Sequence, residues 1–150
     1  MQVNEFAKEV LSIFPSIHGK VLKGQPAVLK EGKITLSQML LLELVHAKRE
    51  CKMSDVSKIL GVTKSAITGI TDRLLKMGFL RRARLQTDRR IVKIRLTPKG
   101  INIANKLKNY KLKMIRRLFA TISQKERAQY LHILKKIQKN IQKKGSRPHG

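Results

Sequence analysis

From Val3 to Phe14 the apolar residues Val3, Phe6, Ala7, Val10, Leu11 and Phe14 recur three and four apart, the spacing of a helix that buries one stripe. Pro15 stands where that helix should end or bend. Residues 19 to 33 contain Gly19, Gly24, Pro26 and Gly32 and read as a loop. The stretch from Leu36 to Ala47 is apolar nearly all round, as in a helix covered on several sides, and belongs at the centre. Ser54 is placed to cap a short helix from Asp55 to Leu60 with Val56, Ile59 and Leu60 inward, and Gly61 breaks it. Thr63 caps the next helix, which runs to about Met77 with Ile67, Ile70 and Leu74 on the core side and Gly78 at a left-handed C-terminal position.

Beyond Phe79 the period changes to two. After a polar turn at Gln86, Thr87 and Asp88, the residues Val92, Ile94 and Leu96 share one face and Lys93 and Arg95 the other, which predicts a two-stranded hairpin. Thr97 and Pro98 open a long helix with the stripe Ile101, Ala104, Leu107, Tyr110, Met114, Ile115, Leu118 and Ile122. Ser123 and Glu126 form a capping box for a last helix striped by Ala128, Leu131, Leu134, Ile137 and Ile141 up to Gly145, and residues 146–150 should fray. The reading is mainly α: a winged helix-turn-helix part over 36–97, flanked by terminal helices over 1–35 and 98–145, all in a single domain of 150 residues.

Charge sharpens this picture. Lysine and arginine total 34 against 9 acids, a net +25 that calls for a polyanion. Up to Glu50 there are seven basic and five acidic residues, so 34 − 7 = 27 cations and only Asp55, Asp72, Asp88 and Glu126 lie beyond it. Nucleic acid is the first partner to consider. The single cysteine, Cys51, excludes an intrachain disulfide and multi-cysteine zinc sites. The N-terminus carries Glu5, Lys8 and Glu9 where a signal peptide needs an apolar run, and no stretch reaches the ~18 apolar residues of a membrane span, so a soluble, cytoplasmic protein with no membrane partner is expected.

The segment 55–77 matches a helix-turn-helix, with the small Ser57 four residues before the turn glycine Gly61, then Val62, Ile67 and Ile70. The outward side of its second helix carries Lys64, Ser65, Thr68, Gly69, Asp72 and Arg73, a surface suited to a major groove. Directly after it, Arg81, Arg82, Arg84, Arg89, Arg90, Lys93 and Arg95 are opposed by Asp88 alone. At the turn tip Arg89 or Arg90 could reach a narrow minor groove while the strand arginines meet phosphates.

The run from Leu36 to Gly100 resembles the MarR (multiple antibiotic resistance regulator) family of winged-helix transcription factors, through "LSQMLLLELV", "MSDVSKILGVTKSAITGITDRLLKMGFLRR" and the wing string "TDRRIVKIRLTPKG". The resemblance implies Arg90 as the residue inserted into the minor groove, Arg89 as a backbone contact, and Asp88 as holding the wing's geometry through an ion pair. It implies Lys64, Ser65, Thr68 and Arg73 as the major-groove and phosphate contacts; with Thr63 and Gly69 on the same helix and Arg82, Arg84 and Lys93 on the wing, read from position and charge, they make up the expected DNA-facing set. Gly69 departs from relatives that carry a longer polar or basic residue there. The resemblance further implies a homodimer interlocked through Phe6, Val10, Phe14, Leu118, Leu131, Leu134, Ile137 and Ile141, and a small-molecule effector, for which no ligand residues stand out. The terminal stripes argue for the dimer independently, because one winged-helix core cannot cover three long helices.

The expected function is a homodimeric regulator of transcription reading a pseudo-palindromic operator in double-stranded DNA, with half-sites about one helical turn (~10 bp) apart. The rivals are an architectural, nucleoid-type protein of low sequence preference and an RNA-binding protein, both suggested by the charge. From Lys99 to Arg147 there are fifteen basic residues and one acid, 15 − 1 = +14, which is either a solvated face or an extra phosphate contact. Cys51, among Lys48, Arg49 and Lys52, has a setting that could lower its pKa, though an inert thiol in a loop is the plainer reading. His18, His46, His132 and His149 lack metal-ligand spacing, and no nucleophile–base pairing or phosphate loop appears, so no cofactor, metal or enzymatic activity is expected.

Overall fold

A computed structural model describes residues 1–21, 26–30, 33–84, 86–88 and 90–145. Its elements are α1 (Val3–Val21), α2 (Ala27–Lys30), α3 (Leu36–Lys48), β1 (Glu50–Lys52), α4 (Met53–Leu60), α5 (Lys64–Lys76), β2 (Leu80–Arg84), β3 (Val92–Leu96), α6 (Pro98–Phe119) and α7 (Gln124–Gly145). They fall into two compact units, Met1–Leu112 and Lys113–Gly150.

The core of the first unit is built on α3. A capping box starts this helix: the Thr35 hydroxyl accepts the Gln38 amide at 3.3 Å, and the Gln38 side-chain oxygen accepts the Thr35 amide at 2.9 Å. Leu41, Leu42 and Val45 are fully buried, whereas Leu36 and Leu40 are exposed, so the helix expected to be covered on several sides is covered on one.

The sheet has three strands, not the two expected, in the order β1-β3-β2 and antiparallel throughout. Cys51 lies opposite Ile94 and Leu80 opposite Leu96, so the alternation of β3 puts Ile94 and Leu96 into the core as the period predicts. The strand β1 escaped the sequence reading because three residues are too few to display a period. Cys51 is therefore a buried strand residue, not a loop thiol.

Three further helix expectations need correction. The helix α1 passes through Pro15 and ends at Val21; its apolar spacing continues at Ile13, Phe14 and Ile17, and proline removes only one ladder hydrogen bond. A short helix, α2, lies inside the stretch expected as loop. The helix α4 begins at Met53 after Lys52, which caps it without a side-chain bond. Ser54, the expected cap, is inside the helix, where its carbonyl accepts the Ser57 hydroxyl at 3.1 Å. Val56 is buried as expected, but Ile59 is 48% exposed.

Two glycines and a threonine join the pieces. Gly61 (φ 64°) turns α4 into α5, and Gly78 (φ 75°) turns α5 into β2. The Thr97 amide donates to the Phe79 carbonyl at 3.0 Å while its hydroxyl accepts the Gly100 amide at 3.0 Å, which caps α6 and holds it to the strand entry. A Cβ on Gly100 would lie 2.0 Å from the Phe79 carbonyl oxygen, so this approach requires glycine. Within the first unit α6 buries Ala104 and Leu107.

The second unit opens α7 with the expected capping box: Ser123 Oγ accepts the Glu126 amide at 3.3 Å, and the Glu126 carboxylate accepts the Ser123 amide at 2.7 Å. The Ser123 hydroxyl, which also donates to that carboxylate at 2.7 Å, and then the Ser123 amide hold the Glu126 carboxyl below its ordinary range. Among the described residues no helix is long and apolar enough to cross a membrane, and no cluster of three metal-ligating side chains occurs. The expected fraying tail, 146–150, lies outside the described residues.

Candidate nucleic-acid interface

The helix α5 starts where Thr63 Oγ1 accepts the Ala66 amide at 3.1 Å, as the capping rule predicts. Ile67, Thr71 and Leu74 are buried at a spacing of three to four, and this burial decides which face looks outward. Thr63, Lys64, Ser65, Thr68, Gly69 and Arg73 are all exposed, so the six residues expected on the recognition helix lie on its free side. Thr68 Oγ1 donates to the Lys64 carbonyl at 2.9 Å, which leaves its lone pairs outward. A Cβ on Gly69 would meet nothing within 4 Å, so nothing inside the chain requires glycine there.

The wing stands beside this helix. Arg82 on β2 reaches across to Asp72 on α5 with 2.6 Å between Nη2 and Oδ1. An exposed ion pair thereby links the two elements, and Arg82, expected as a DNA contact, engages one guanidinium nitrogen within the chain. Lys93 and Arg95 on β3 converge on the carboxylate of Glu50 in β1. Bonds from Lys93 and then Arg95 hold the Glu50 carboxyl below the usual carboxylate range. Lys93, also expected to face DNA, is thus turned to an internal partner. The sequence reading missed Glu50 because its role depends on the unrecognised strand.

At the wing tip Asp88 Oδ1 accepts the Arg90 backbone amide at 2.9 Å, an Asx-type bond that shapes the turn through the backbone; the ion pair expected of Asp88 is not found among the described residues, which do not include Arg89. Arg84, Asp88 and Arg90 are exposed, and Arg89 lies outside the described residues. Between the start of α5 and the wing runs a cleft of about 550 Å³ onto which Lys52, Lys64, Thr68, Arg82 and Arg90 open. Four cations thus stand over a floor that also includes Met53, Ile67, Ile91 and Val92, and no acid lines it, so its charged rim favours anionic groups. Burial pushes the Cys51 thiol upward despite Lys48, the reverse of an activated thiolate.

The residues assigned to the terminal helices are exposed in the single chain: Phe6 57%, Val10 44%, Phe14 58%, Leu131 52%, Leu134 44%, Ile137 49% and Ile141 65%. Leu118 is half-buried.

The family model described as MarR family matches residues 34–92, the stretch that contains α3, both helices of the turn and the wing up to the start of β3. YfiV, an uncharacterized HTH-type transcriptional regulator of Bacillus subtilis, is 33% identical over 113 residues, 73% of this chain and 71% of the relative. YdgJ of the same organism, likewise described, is 29% identical over 108 residues, 72% of this chain and 66% of the relative, so the match spans about two thirds of its length. Among solved structures, Streptococcus pneumoniae FabT in complex with DNA superposes with a TM-score of 0.75 over 94% of this chain and 96% of that one, at 24% identity, and shares the fold. With a winged helix-turn-helix built from the matched segment, and with relatives that are transcriptional regulators, not enzymes, this chain belongs to the MarR family of transcriptional regulators.

Proposed function

We propose that the chain acts as a homodimer that reads a pseudo-palindromic operator in double-stranded DNA, with α5 in the major groove and Arg90 in the adjacent minor groove. The observation that carries this reading is the tie between Asp72 and Arg82, which links the exposed polar face of α5 to the arginine-bearing wing. A coat of unspecific charge has no use for such a tie. On α5, Ser65, Thr68 and Lys64 supply short donors and a cation for base edges and phosphates, and Arg73 lies further along the same face. Arg84 on β2 is free to meet the backbone, whereas Arg82, Lys93 and Arg95 serve chiefly to stiffen the wing.

The dimer is supported by the uncovered apolar side chains of α1 and α7, a liability in water for a single chain and the expected surface of an obligate interface. A two-fold pair of wings and helices would then face two half-sites. The test is selection of random duplex DNA by the purified protein at two salt concentrations, with sequencing of the retained molecules. An inverted repeat that survives the higher salt is the expected result. Binding without a motif, lost steeply as salt rises, would replace this reading by an architectural one.

A further inference from the structure

The second unit carries a cationic line that the winged helix does not use. On α7, Lys125, Lys136, Lys139 and Lys143 follow one another at i, i+11, i+14 and i+18, and all are exposed. At 3.6 residues per turn they stay within about 60° of one another and extend over about 27 Å. Leu134, Ile137 and Ile141 lie on the opposite side of the same helix. From Lys113 to Gly150 there are eleven cations and one acid, 11 − 1 = +10. That acid, Glu126, is engaged with Ser123 at the helix start, and no ion pair among the described residues involves a lysine of the line.

An ordinary solvated helix face mixes charges, since like charges three and four apart cost it a few tenths of a kcal/mol per pair. Here no acidic side chain among the described residues relieves the repulsion. We propose that this face of α7 is a second, sequence-independent contact for the phosphate backbone of duplex DNA, additional to the winged helix and resting on the DNA-binding reading above. Duplex is favoured over unpaired RNA because the line has no aromatic side chain on which bases could stack; Phe119 and Tyr130 of this unit pack on each other, ring centroids 4.9 Å apart. A membrane surface is disfavoured because it would need the apolar side of α7, which lacks tryptophan and which the dimer uses.

The test uses the full chain with Lys125, Lys136, Lys139 and Lys143 all changed to Gln, a residue of similar helix propensity, beside a version with all four changed to Arg. Binding to a random-sequence DNA duplex and to an RNA duplex, each of about four helical turns, is followed by fluorescence anisotropy between about 50 and 200 mM salt. Expected for the Gln protein, with its circular dichroism unaltered, is a DNA salt slope lower by about 0.9 per lysine in contact, on the order of a hundredfold in low-salt affinity, and restoration by Arg. An unchanged DNA slope would make the line a solvated face, and a change confined to the RNA duplex would reassign it; either overturns the proposal. Arg90→Ala keeps the two readings apart. If the natural chain binds duplex and Arg90→Ala weakens it while the Gln protein keeps its slope, only the α7 contact fails; if the natural chain binds no duplex, both fail.

Discussion

Two helical glycines, Gly69 and Gly100, look alike in the sequence and differ entirely in what surrounds them. A methyl group on Gly69 meets open space, so Gly69→Ala should stabilise α5 by about 1 kcal/mol through helix propensity alone. A methyl group on Gly100 would be driven into the Phe79 carbonyl oxygen, a backbone atom that cannot swing aside, so Gly100→Ala should destabilise by roughly 1–3 kcal/mol. Urea unfolding of the two variants checks both signs. Equal midpoints would mean that α6 can withdraw from the strand entry without loss. No periodicity distinguishes the two positions; the difference lies in a tertiary approach made by residues twenty-one apart, Phe79 and Gly100.

The elements tell a similar story about what a sequence reveals. The helices α5 and α7 were legible down to their first residue because capping is local chemistry: Thr63 answers Ala66, and Ser123 answers Glu126. The alternation of β3 was legible because one face of it is buried. By contrast, β1 could not be read, since its pairing with β3 joins residues forty-one to forty-five apart, and with it went the role of Glu50. That role has a pH signature. The Glu50 carboxyl is held below its ordinary value of 4.5, so the bonds from Lys93 and Arg95 contribute fully above that value and are lost as pH falls through the lowered one. Glu50→Gln should therefore unfold at lower urea than the natural chain at pH 6 to 8, with the gap closing as the pH drops below ~4.5. A gap that persists undiminished at pH 3 would show that the carboxylate's charge is not what binds β3 to β1.

At the scale of the whole molecule, charge and apolar surface pull in opposite directions. A net +25 favours separate chains, whereas α1 and α7 leave their apolar residues in water. The second effect should dominate. Like charges on separate subunits are screened within about a Debye length, ~8 Å in physiological salt, while each large side chain removed from water contributes roughly 1.5–3 kcal/mol. Leu134 and Ile137, 44% and 49% exposed, lie on the side of α7 away from Lys125, Lys136, Lys139 and Lys143. Replacing both with Asp leaves the cationic line intact but would bury two carboxylates in the proposed interface, a cost of several kcal/mol that should weaken dimerisation at least a hundredfold, or about 2.7 kcal/mol. In sedimentation at micromolar concentration the natural chain should run as a dimer and Leu134→Asp/Ile137→Asp as a folded monomer. If the natural chain itself sediments as a monomer, the apolar sides of α1 and α7 must be covered some other way, and the two-fold reading of the operator goes with them.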